Sequence, residues 1–133
     1  MKPGHLHPKE WKRARTWVLR AVLLSLLFLS MVSPARAAII TSTAAGGAWN
    51  LGTTWVGGVV PLATDSVVIV NTATVTTAGN RTCLGATING TLSLAAGNVL
   101  TVNGDLAGTG NLTTPAGATT VALTGNWLFS GAF

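Results

Sequence analysis

The chain has 133 residues, 48% hydrophobic and 8% charged, with a formal charge of +5. Its basic balance would suggest a nucleic-acid partner, but seven of the eight Lys and Arg precede residue 37, and only Arg81 stands against Asp65 and Asp105 thereafter; charge therefore excludes nucleic acid. A single cysteine, Cys83, excludes an intrachain disulfide scaffold and reads as a small buried hydrophobe.

The first element in chain order is an export signal over residues 1–37. Lys2, Lys9, Lys12, Arg13, Arg15 and Arg20 form a basic head, "AVLLSLLFLSMV" at 21–32 an apolar block, and "SPARAA" places Ala35 and Ala37 in an A-x-A cleavage pattern. Twelve residues at about 1.5 Å rise cover roughly 18 Å, short of a hydrocarbon core of about 30 Å. The expectation is a helical signal peptide cleaved after Ala37, with membrane contact confined to export and a secreted or cell-surface product.

Residues 38–65 read as a cap segment, rich in Gly and carrying Trp49, Trp55 and Pro61. A solenoid leaves an apolar end with unpaired strand edges, and two tryptophans bury enough surface to cover it. Pro61 then ends strand pairing before the first rung. The competing use of Trp49 and Trp55 is a platform for carbohydrate contact, with Asn50, Thr53 and Thr54 as its polar neighbours.

From residue 66 to 133 the chain alternates short β-branched or apolar runs, such as "SVVIV" at 66–70, "TLSL" at 91–94 and "VLTV" at 99–102, with Gly and Asn corners. This predicts an all-β fold. "LTVNGDLAGTGNL" at 100–112 aligns without gaps on "VALTGNWLFSGAF" at 121–133, a period of 21 residues, and "TINGTL" at 87–92 is a shorter echo of "TVNGDL" at 101–106. A repeat of that length selects a right-handed parallel β-helix over a sandwich or barrel. Stacking then puts Val102 with Leu123 and Leu106 with Trp127 in interior columns, and Gly104 with Gly125 at a shared corner of positive φ. Low charge suits such columns, because like charges would repel at about the 4.8 Å strand spacing, whereas Thr and Asn satisfy one another. The final residues expose Trp127, Leu128, Phe129 and Phe133 in mid-repeat, so 66–133 is expected to be the truncated start of a longer coil that associates end to end or aggregates when alone.

Two stretches carry a resemblance. "GGAWNLGTTWVGGVVPLATDSVVIVNTATVT" at 46–76, with Trp49 and Trp55, Gly57 and Gly58, Val60 and Pro61, Asp65 and the apolar Val67–Val70 strand, resembles the opening of bacterial surface β-helix proteins and G8-like domains. "LTVNGDLAGTGNL" and "LTGNWLFSGAF" are similar to repeats of autotransporter-like and adhesin-like secreted proteins with a pectin-lyase-like coil. The resemblance implies a β-helix in a cell-surface setting and transfers no catalytic residue.

The residues themselves offer little chemistry. His5 and His7 lie in the signal, so no Ser/His/Asp or Cys/His site and no zinc site can be assembled after export. Asp65 and Asp105 are the remaining carboxylates and read as turn residues rather than an acid/base pair. No catalytic, cofactor or metal residue is therefore expected. The reading is a non-catalytic stalk or scaffold segment whose partners are cell-surface glycans or a host surface. The alternatives are the start of a polysaccharide-lyase-like β-helix enzyme, or a small carbohydrate-binding module.

Overall fold

A computed structural model describes residues 37–115, 117 and 119–133. The expected signal helix lies outside these residues. Residues 37–133 form one compact unit, an all-β parallel solenoid of about three turns.

Alternation with a period of two makes the strands. In β3 (Ser66–Ile69), β6 (Gly85–Ile88), β7 (Thr91–Leu94) and β8 (Val99–Val102) every second side chain is buried, which is the pattern of a strand with one face on a core. Each full turn contributes one strand to each of three sheets. The turns are β3, β4 (Thr74–Thr77) and β5 (Arg81–Cys83), then β6, β7 and β8, then β9 (Leu106–Gly108), β10 (Asn111–Thr113) and β11 (Thr120–Leu123). They are flanked by β1 (Ile39–Thr41) and β2 (Gly47–Ala48) at one end and by β12 (Trp127–Phe129) at the other.

Every pairing between these strands is parallel. The first sheet is ordered β1-β3-β6-β9-β12, the second β10-β7-β4-β2 and the third β11-β8-β5. Interior columns follow from the register. Val67, Ala86 and Leu106 stack in the first sheet, Val75, Leu92 and Leu112 in the second, and Cys83, Val102 and Leu123 in the third. All nine belong to one apolar core or pack against it, and burying a Val or Leu side chain contributes about 1.5–3 kcal/mol.

The Val102–Leu123 and Leu106–Trp127 pairs stand in the expected register. The corner glycines differ from expectation in their reason. Neither Gly104 nor Gly125 has positive φ. A Cβ on Gly104 would lie 2.5 Å from the Leu84 carbonyl oxygen, and one on Gly125 would meet the Gly104 backbone. The corners stack too closely for a side chain, so contact between rungs, and not backbone handedness, requires glycine there.

The echo at 87–92 also has another meaning. Thr87 pairs with Ala107 and Thr91 with Asn111, so "TINGTL" does not stack on "TVNGDL". They are two different corners, from the first sheet to the second at 89–90 and from the third back to the first at 103–105, built alike because both turn the chain from one sheet to the next. Asp105 accordingly continues the column of Gly85 and Asn126 and has no pairing with Thr91.

The segment 38–65 supplies two strands as well as a lid. β1 and β2 pair with β3 and β4 in register, as a partial turn. Where the third strand of that turn would run, the chain instead makes a 3₁₀ turn at Gly52–Thr54 and a loop in which Pro61 is buried and Val60 packs against the core.

Candidate functional site

Trp49 and Trp55 are the largest side chains of the core, 2% and 1% exposed. Their rings meet edge to face, with centroids 5.1 Å apart and planes at 75°, a favoured aromatic geometry. The indole Nε1–H of Trp55 donates to the Trp49 carbonyl at 2.7 Å, so the polar atom that burial would otherwise orphan is satisfied. Around them the chain closes on itself. Thr43 N–H donates to the Thr54 carbonyl and Val56 N–H to the Thr41 carbonyl, both near 2.8–2.9 Å, and Ser42 pairs antiparallel with Trp55. The Thr54 hydroxyl donates to the Ala48 carbonyl at 2.7 Å. The pair thus plugs the core under the first turn while residues 54–56 cover the outer edge beside β1.

For the alternative reading of Trp49 and Trp55 as carbohydrate contacts, the relevant finding is that both rings are buried. A sugar stacks on an exposed ring face, and neither ring has one. Polar Asn50 and Thr53 are exposed nearby, but the rings they would serve face inward.

The two carboxylates lie apart in separate structural roles. Asp65 is buried, with Oδ2 accepting from Leu62 N–H at 2.9 Å and Oδ1 from Ala38 N–H at 3.1 Å. It ties the loop into β3 and anchors the start of the described chain to it. Asp105 Oδ1 accepts from the backbone N–H of Asn126 at 2.8 Å and from its amide Nδ2 at 3.1 Å. This is a turn residue that also clasps the next rung, a role that sequence spacing did not reveal because it joins positions on different turns.

Cys83 is fully buried in its column, and burial pushes its thiol up to about 11. At neutral pH it is the protonated thiol, a poor nucleophile. Among the described residues, no three His, Cys, Asp or Glu side chains come together.

Outside, the second sheet presents uncharged polar columns. Thr74, Thr91 and Asn111 are in register, as are Thr76, Ser93 and Thr113. The Thr113 hydroxyl reaches the Leu92 carbonyl at 3.5 Å, and in the third sheet the Asn80 amide oxygen accepts from Val99 N–H at 2.9 Å. Among the described residues, polar side chains of these sheets thus bond to the backbone of neighbouring rungs, whereas the side-chain bond between rungs is the one from Asn126 to Asp105.

No family model, no curated protein and no solved structure matches the chain. The likeness to pectin-lyase-like, adhesin-like and G8-like sequences rests on the residues quoted for it.

Proposed function

We propose that the chain is a non-catalytic stalk or scaffold segment of an exported, adhesin-like cell-surface protein. The observation that carries this reading is the stack itself: five parallel strands in register along the first sheet, from β1 to β12, around a continuous apolar core. At a spacing of about 4.8 Å those strands extend the protein by roughly 19 Å without using any side chain outside the core. The basic head, apolar block and A-x-A pattern of residues 1–37 support export. Contact with cell-surface glycans or a host surface falls to outward columns such as Thr74–Thr91–Asn111, since the tryptophan pair is inside.

The test is a reporter that is active only outside the cytoplasm, fused behind Phe133 and expressed in a bacterial host. Reporter activity that protease treatment of intact cells removes is the expected result. A fusion that stays inactive in the cytosol overturns the reading.

A further inference from the structure

Asp65 is a buried carboxylate, 6% exposed, and backbone fixes it on every side. Its own N–H donates to the Leu62 carbonyl at 3.0 Å, and its carbonyl accepts from Leu84 N–H at 2.7 Å. Of the carboxylate oxygens, Oδ2 takes the Leu62 N–H at 2.9 Å, and Oδ1 takes the N–H of Ala38 at 3.1 Å, from 27 residues earlier in the chain. Ala38 is fixed as well, because its carbonyl accepts from Ser66 N–H at 2.8 Å where β1 joins β3. One carboxylate oxygen and one backbone nitrogen are thus set against each other from both sides.

That nitrogen belongs to the bond at which the A-x-A pattern of Ala35 and Ala37 puts signal cleavage. Ala37 and Ala38 are exposed, so the bond lies at the surface while the acceptor beside it is buried. Hydrolysis by a signal peptidase adds water across the bond: the C–N bond breaks, Ala37 departs as a carboxylate, and Ala38 keeps an ammonium, with no net proton released. Seven of the eight Lys and Arg depart with residues 1–37, and Arg81, the one that stays, donates its guanidinium to the Asn80 carbonyl. A buried carboxylate without a counter-charge is costly. The new positive charge arises on the atom already 3.1 Å from Oδ1.

We infer that Asp65 is the binding site for the α-ammonium that cleavage after Ala37 creates, so that maturation turns an amide hydrogen bond into an ion pair. A charge-assisted bond of this kind is roughly twice as strong as its neutral counterpart. The nearby carboxylate in turn favours the charged form of the amine. β1 is the outermost strand of the first sheet at this end, and a chain terminus frays unless something ties it down. The ion pair ties β1 to the start of β3. The inference rests on the export reading for the cleavage itself and extends it to what the mature chain gains.

The test compares urea melts, at neutral pH, of residues 38–133 with a free Ala38 amine, of the same chain acetylated on that amine, and of residues 37–133. Acetylation keeps the N–H donor and removes the charge, while the extra Ala37 moves the charge one residue away. Both should raise the unfolding equilibrium constant about fivefold over the free Ala38 chain. Asp65→Asn should erase the difference between free and acetylated chains. The comparison of 38–133 with 37–133 needs no substitution, so it decides even where Asp65→Asn does not fold. Equal stability of the free and acetylated chains overturns the inference, as does a difference that persists in Asp65→Asn, or a 37–133 chain as stable as free 38–133. Mass spectrometry of the full chain expressed in a bacterial host should find Ala38 as the mature N-terminus. Another N-terminus overturns the inference and leaves export standing, whereas an uncleaved chain in the cytosol overturns the export reading as well.

Discussion

Trp49 and Trp55 at one end, and Trp127, Phe129 and Phe133 at the other, form edge-to-face clusters of similar spacing: 5.1 Å against 6.1 and 5.9 Å. Trp49 and Trp55 are buried, whereas Trp127 is half exposed. Ring geometry is thus nearly common to the two ends, and backbone is what separates them. Residues 54–56 return across the edge above the first pair, while no strand follows β12 among the described residues. An aromatic cluster becomes a plug only where the chain comes back over it.

The strongest way to break this comparison is to remove the plug. Trp55→Ala deletes a buried ring, its edge contact with Trp49 and the donor to the Trp49 carbonyl. It should cost about 3–5 kcal/mol in a urea melt. A loss below about 1 kcal/mol would mean that the first turn is stable without its lid.

Between the ends, the rungs are held by glycine contacts. A Cβ on Gly110 would stand 2.8 Å from the Asn89 oxygen and closer still to the Gly90 carbonyl, although its φ is not positive. Gly110→Ala should therefore destabilise by about 1–3 kcal/mol through overpacking of backbone on backbone. Wild-type stability would show that the rungs can spread to admit a methyl group.

Gly97 sharpens the point because it reverses both conditions. Its φ is 76° and nothing lies within 4 Å of where a Cβ would be. Gly97→Ala should cost about 1–2 kcal/mol by left-handed strain alone. A greater loss than for Gly110→Ala would make backbone handedness, rather than close stacking, the dominant use of glycine here.

The smallest effect is expected at the open end. Trp127→Ala should cost about 1 kcal/mol in a urea melt, since half the ring is already in water. A cost equal to that of Trp55→Ala would show the two ends to be equivalent after all.

What the sequence determined by itself is local. Alternation in "SVVI", "TLSL" and "VLTV" requires strands with one buried face, and the glycine and asparagine between them require corners. The 21-residue repeat was legible for the last pair of turns because Leu106 and Trp127 do stand 21 positions apart. Earlier turns hid the same stacking. Ser66 pairs with Gly85 after 19 residues and Ala86 with Leu106 after 20, while one corner spans residues 70–73 where its successor needs only Asn89 and Gly90. Gapless alignment cannot see a register that changes with corner length. Only the tertiary structure decided that Gly104 is required by contact, that Asp105 clasps Asn126, and that the tryptophan pair faces inward. Each depends on what lies one turn away, some twenty residues off along the chain but one strand spacing of about 4.8 Å in space, and a pattern of period two carries no information at that range.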